Sequence, residues 1–376
     1  MRIGVLREIK PQERRVALTP AGAASLVAAG HAVSVEREAG VGSGHADGDY
    51  VAAGAAVMAR EAIFEAELLV KVKEPQPEEV AQLRADQLLF AYLHLAAEPS
   101  LAQGLLQRGV GAIAYETVQD EHGQLPLLVP MSEIAGRLAV QLGAQALLAT
   151  AGGRGVLLGG APGVLPARVL VLGGGVVGME AARVASGLGA EVIVLERDPV
   201  RLRVLERAFD GRVRTCYSDE AALEALLPAT DLLVGAVLLP GREAPKLLRQ
   251  AHIARMPAGS VFVDVAIDQG GCAETSRPTT HQEPTYRVGE VIHLCVTNLP
   301  AACPRTATAA LTQATLPYLH RLAGGALAQA IDTGDWPCWL RTGLNVHGGG
   351  LVHPAVAASL GRADVPLPGA AARGAA

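Results

Sequence analysis

Gly173, Gly175 and Gly178 stand in G-x-G-x-x-G register inside "VLVLGGGVVGMEAARVASGLGAEVIVLERD", directly after an apolar run, and Glu196 closes the next one. In that pattern the first glycine permits a tight turn, the second lets the backbone approach a pyrophosphate, and the third lets helix and strand pack closely. The helix start behind the loop offers N–H groups and partial positive charge to phosphates. A carboxylate about 20 residues on accepts hydrogen bonds from a ribose 2′-OH and repels a 2′-phosphate, which favours NAD over NADP. Arg197, immediately after it, would soften that preference. The plain alternative is a strand–helix–strand unit with a glycine-rich turn.

Charged groups recur at the ends of other apolar runs. "VKVKEP", residues 70–75, holds Lys71 and Lys73, two of four lysines in a chain with 32 basic residues. A lysine ammonium changes pKa with burial, which a guanidinium does not. Alternation along a strand puts both on one face. His94 closes the run in "QLLFAYLHLAA"; in "SVFVDVAIDQGG" Asp264 reads as mid-strand and Asp268 as the strand end before a Gly-Gly turn. Arg14 and Arg15 follow the first strand. Each has a dull counterpart: solvated lysines, a hydrogen-bonded core histidine, a turn-capping aspartate, a solvated arginine loop. Ligands of open α/β sheets lie beyond the carboxyl ends of the strands. A cation pair, a histidine and an aspartate there suit a nicotinamide enzyme acting on a small anionic substrate.

The elements that must position these groups read as α/β throughout. "RIGVL", "HAVSVE", "AELLVKVK", "QLLFAYLH" and "GAIAYE" are strand candidates, and "TPAGAASLVAAG" is a helix with Thr19 as N-cap and Pro20 at its first position. One long helical run follows around 130–150, starting after Ser132, and then the glycine-rich loop "AGGRGVLLGGAPGVLP". A second α/β region from Ala167 to about Pro304 carries "RVLVLG", "EVIVLE", "DLLVGAVL", "SVFVDVAI" and "VIHLCVT". Ala307–Ala323 is again helical, and the remainder, with "GDWPCWL" and "HGGGLVHP", is poorly patterned. Apolar strands alternating with helices predict parallel sheets covered on both faces.

Composition narrows the function. With 50% hydrophobic and 18% charged residues, the 376-residue chain can bury two cores. A net charge of -5 and only 3% aromatic residues argue against nucleic acid as a partner. The five cysteines form no CxxC pair and no zinc spacing, so no metal is expected. The charged start is not a signal peptide, and Arg137 and Gln141 interrupt the longest apolar helix candidate. A soluble, cytoplasmic protein without a membrane partner is expected.

From residue 1 to about 320 the chain resembles the alanine dehydrogenase/pyridine nucleotide transhydrogenase family. "RRVALTPAG", "LLVKVKEP", "LHLAAEP", "AYETVQ", "LPLLVPMSEIAGRLAVQLGA", "GGRGVLLGGAPGV", "GAVLLPGREAPKL" and "VDVAIDQGGCAETSRPTTH" carry the resemblance. It implies two Rossmann-like, doubly wound parallel-sheet domains joined by long helices. Residues 1–130 plus 305–376 would form the substrate domain and 131–304 the NAD-binding domain. The implied reaction is reversible oxidative deamination of L-alanine to pyruvate and ammonia with NAD, in a homohexamer. Arg15 and Lys73 would hold the substrate, with Lys71 only a neighbour at the rim, and His94 and Asp268 would be the acid–base pair. The NAD site would be lined by Ser132, the glycine loop with Val176 and Val177, Glu196, Arg201 and Ser218. Val237, Leu238, Val265, Ala266, Ile267, Asp268 and Arg277 would join it, with Val296, Thr297, Asn298 and Leu299. The family usually has aspartate where Glu196 stands and often lysine where Arg201 stands. A transhydrogenase component, a dehydrogenase for a larger amino acid and a catalytically inactive NAD-binding regulator are the competing readings.

Overall fold

The computed structural model describes residues 1–237 and 244–369, which divide into two compact units: 1–131 with the chain from 303 onward, and 132–302. In the first unit the strands are β1 (Arg2–Val5), β2 (Ala32–Glu36), β3 (Ala56–Met58), β4 (Leu68–Val70), β5 (Leu88–Ala91) and β6 (Gly111–Ala114). The second unit contributes β7 (Arg168–Leu172), β8 (Glu191–Glu196), β9 (Val213–Tyr217), β10 (Leu232–Gly235), β11 (Val261–Asp264), β12 (Thr285–Val288) and β13 (Val291–Leu294). A late hairpin, β14 (Leu344–His347) and β15 (Gly350–Leu351), returns to the first unit.

The first sheet runs β15-β14-β6-β5-β4-β1-β2-β3 and the second β12-β13-β11-β10-β7-β8-β9. Within each, six parallel strands follow one order, 3-2-1-4-5-6, that of the doubly wound dinucleotide fold. Antiparallel strands extend only one edge of each sheet: β14 and β15 in the first, β12 in the second. The strand interiors are fully buried runs of Val, Leu and Ile, as helices on both faces require. Each such side chain withdrawn from water contributes about 1.5–3 kcal/mol.

Register lines up the strand ends. Val5 pairs Val70, Val70 pairs Phe90, and Phe90 pairs Ile113, so the loops after β1, β4, β5 and β6 emerge at one edge. In the second unit Leu172, Gly235 and Asp264 pair in sequence, and Leu172 also pairs Leu195.

Several expectations change. The lysine strand ends at Val70, although the backbone stays extended, with Lys71 N–H donating to Phe90 O and Tyr92 N–H to Val72 O. The long helix is Val129–Ala146 and starts before Ser132, because Pro130 suits a first helical turn. Asp264 ends its strand and does not lie within it, and Asp268 lies in the 3₁₀ turn Val265–Gln269. β3, β9, β12, β14 and β15 gave little apolar signal because they lie at or next to sheet edges, where polar residues are tolerated. Thr19 does cap its helix, accepting Gly22 N–H at 3.2 Å.

Candidate active site

In the first unit, the loop after β1 carries Glu8, Glu13 and Arg15. Arg15 is not solvated as its loop suggested: it is 2% exposed, and Glu13 accepts from its Nε at 2.7 Å and its Nη2 at 2.5 Å. Burial opposes the guanidinium charge, but Glu13 outweighs burial and holds its pKa above the ordinary arginine value. Nη1 meets Met131 Sδ at 3.0 Å. The helix Pro304–Ala323 steadies the loop, since Thr308 Oγ1 accepts Val16 N–H at 3.1 Å. Glu8, Glu13, Arg14 and Arg15 border a cavity of about 130 Å³.

After β4 the two lysines part company. Lys71, expected at a solvated rim, is 1% exposed, with Nζ 3.2 Å from Glu8 and 2.9 Å from Glu79. Burial works against that ammonium, but the two carboxylates hold its pKa above the lysine norm. Lys73 is half-buried, its Nζ 4.0 Å from Glu74, which Lys10 also grips. Lys71 and Lys73 thus occupy different environments despite their spacing.

His94 lies three residues past β5 and is one of the few non-glycine residues with positive φ, at +50°. Its ring stacks on Tyr92 at 5.9 Å, and Glu116 Oε1 accepts its N–H at 2.6 Å. A left-handed histidine is strained by roughly 1–3 kcal/mol, and such strain clusters at working sites.

In the second unit Gly173 has φ +103°, and a Cβ there would meet Ala236 O at 2.6 Å. A Cβ on Gly178 would lie 1.8 Å from Gly173 O. Gly175, the N-cap of the helix Val176–Gly187, faces open space, as does an anion seat at a helix start. Glu196 Oε2 accepts Gly174 N–H at 2.7 Å, while Oε1 accepts from Arg197 and Asp198. The carboxylate braces the glycine loop and is half-buried at its mouth. A tight turn, an open cradle and an acid beside it fit the pyrophosphate and ribose of NAD.

The other expected residues of this unit divide by exposure. Val176, Val177, Val237, Val265, Thr297, Asn298 and Ser132 are half-buried, and Arg201 lies half-buried in the helix Pro199–Phe209. Ala266, Ile267, Val296 and Leu299 point into the core, so a ligand would meet their backbone. Ser218 is buried, its N–H donating to Glu196 O. Arg277 is exposed over the Tyr286 ring at 4.2 Å. Leu238 lies outside the described residues. Asp268 is exposed and accepts Asn298 N–H at 3.1 Å; Asn298 has φ +56°.

Sequence reasoning missed the carboxylates Glu8, Glu13 and Glu116 behind these groups, and it noted Asp264 without a role. Asp264 is fully buried and accepts from Ala266 N, Cys272 N and Ser276 Oγ, fixing the turn that carries Asp268. For Glu8 and Glu116 the available signal was an acid soon after a strand end, three residues past β1 and two past β6. Among the described residues no cluster of His, Cys, Asp or Glu is arranged for a metal ion, and no helix is long and apolar enough to cross a membrane.

Comparison with known proteins agrees with this architecture. Residues 4–135 match the model of the alanine dehydrogenase/PNT N-terminal domain and residues 139–354 that of its C-terminal domain. Alanine dehydrogenase of Halomonas elongata is 54% identical, with 96% of this chain and 97% of that protein covered. The Mycolicibacterium smegmatis enzyme of the same name is 50% identical, with 99% of each covered. A solved L-alanine dehydrogenase is 52% identical and superposes with a TM-score of 0.92, covering 96% of this chain and 99% of that one. With both halves matched and relatives aligned over nearly its full length, the chain belongs to the alanine dehydrogenase/PNT family.

Proposed function

We propose that the protein catalyses the NAD-dependent, reversible oxidative deamination of L-alanine to pyruvate and ammonia. The carrying observation is identity above half with L-alanine dehydrogenases across nearly the whole chain. The roles below are our reading.

Arg15 orients the substrate carboxylate with a guanidinium whose plane is fixed by Glu13 at Nε and Nη2. Lys73 hydrogen-bonds the keto oxygen with a compact ammonium. His94 takes the proton that leaves the amine neutral, acting as the general base. Bound NAD supplies the acceptor for the hydride leaving Cα. Asp268 then serves the water that adds to the resulting iminium, and the carbinolamine collapses to pyruvate and ammonia. Gly173, Gly175 and Gly178 would seat the pyrophosphate and Glu196 the ribose, which favours NAD over NADP.

Residues 1–130 with 305–376 would act as the substrate domain and 131–304 as the NAD domain. The family resemblance also supports a homohexamer in the cytoplasm, with no nucleic-acid or membrane partner. The test is NADH formation with L-alanine against a panel of amino acids, repeated with NADP. A preference for a larger amino acid, or comparable efficiency with both cofactors, would overturn the corresponding part. A stable monomer in light scattering would overturn the hexamer.

A further inference from the structure

We propose that Glu116 is a positioning residue whose carboxylate holds the His94 backbone in its left-handed turn and thereby aims the imidazole; this rests on the reading of His94 as the proton carrier. β5 and β6 are parallel neighbours with Ala91 opposite Ala114. His94 therefore lies three residues past one strand and Glu116 two residues past the other, in the 3₁₀ turn Tyr115–Thr117.

Glu116 Oε1 accepts His94 N–H at 2.6 Å, and its two oxygens accept Leu93 N–H at 3.3 and 3.2 Å. A carboxylate receiving successive backbone N–H groups makes strong, charge-assisted bonds. Here those bonds act at a residue whose φ of +50° crowds its own Cβ. Without the acceptor, the turn would relax toward negative φ and swing the imidazole away.

Glu116 is itself on firm ground. Thr117 Oγ1 donates to Ala114 O at 3.2 Å and accepts Asn345 Nδ2 at 2.7 Å, tying the turn to β14. On the other side, Tyr92 donates to Leu127 O at 2.6 Å and offers its ring, 6° from parallel, to His94. The same device recurs one strand away, where Glu8 Oε1 accepts Val72 N–H at 2.7 Å and Lys73 N–H at 3.3 Å. Carboxylates on neighbouring loops thus set the backbone at His94 and at Lys73.

The test is a double-mutant cycle with Glu116→Ala, His94→Ala and the double variant, with Glu116→Gln as the conservative control. Since a misplacement of about 1 Å can cost on the order of a hundredfold, Glu116→Ala should lower kcat by roughly tenfold to a hundredfold. Its dissociation constant for NADH should stay within about twofold. Glu116→Gln keeps an acceptor oxygen and should restore kcat to within severalfold. In the His94→Ala background the Glu116→Ala change should cost nothing further, which a general structural role would not produce. An additive loss, or kcat within twofold of wild type for Glu116→Ala while His94→Ala is inactive, would overturn the proposal. Full activity of His94→Ala would instead overturn the reading beneath it. Should Glu116→Ala fail to fold, Glu116→Asp keeps the charge but withdraws it by one methylene, and the same cycle decides with the same outcomes.

Discussion

Lys71 Nζ lies 3.2 Å from Glu8 Oε2, and both side chains are within 2% of complete burial. Glu79, equally buried, approaches the ammonium from the other side at 2.9 Å. Removing the cation would leave the sealed Glu8 carboxylate without its nearest counter-charge, while Glu79 would keep Arg60; breaking a buried pair in this way costs about 3–5 kcal/mol. Lys71→Gln should lose that much stability in urea unfolding. Lys71→Arg should lose roughly 1–3 kcal/mol, because a larger planar group must enter a filled space. Losses below about 0.5 kcal/mol in both would show that water reaches this lysine.

Lys73 should behave in the opposite way. It is half-buried and 4.0 Å from Glu74, so Lys73→Arg keeps a cation where space allows and should leave stability within about 1 kcal/mol. Turnover should fall on the order of a hundredfold, since a fork replaces a compact ammonium beside a small keto acid. NADH fluorescence titration should be unchanged. Equal, mild effects at Lys71 and Lys73 would remove Lys73 from the site.

The contrast between these lysines shows where sequence reasoning stopped. Alternation put Lys71 and Lys73 on one strand face, but β4 ends at Val70, and what separates them is the company each keeps. Glu8 is 63 residues from Lys71 in sequence, and no local pattern reports such a pairing. Arg15 read as a solvated loop for a different reason: its partner Glu13 is only two residues away, but the burial that closes the pair off from water is set by packing that no local pattern reports. The α/β alternation and the glycine loop were legible because they rest on short-range periodicity and turn chemistry. Strands at or beside a sheet edge, such as β9 and β14, with arginine, histidine and asparagine among their residues, carried too little apolar signal.

His293 gives the second unit a pH-dependent element. It is fully buried, 2.9 Å from Thr275 Oγ1 and packed against Phe262 and Tyr286. Burial pushes its pKa down to about 4, opposed by a bond to Val291 O and aided by the Arg277 charge. A base with a depressed folded pKa binds fewer protons folded than unfolded, so its stabilisation is complete above about pH 6.5 and is lost as pH falls toward 4. The shift corresponds to about 3 kcal/mol. Hydrogen exchange of β11 and β13 amides should report that loss between pH 7 and pH 4.5, and His293→Gln should flatten it. An equally steep decline in the variant would assign the acid limb to other groups.

The glycine loop permits a cleaner separation of fold from ligand. Gly178→Ala would drive a Cβ to 1.8 Å from Gly173 O, so the helix Val176–Gly187 must move off β7. That change should lower stability by more than about 2 kcal/mol and abolish nucleotide binding together. Gly175→Ala meets no protein atom within 4 Å, and its φ of -68° is open to any residue. Stability should therefore stay within about 0.5 kcal/mol. The added methyl stands in the open space before the helix start, where a pyrophosphate would sit, so the dissociation constant for NADH should rise at least tenfold. Thermal unfolding and NADH titration on the two variants check this. If Gly175→Ala bound NADH normally while folding normally, the pyrophosphate would not rest on this loop.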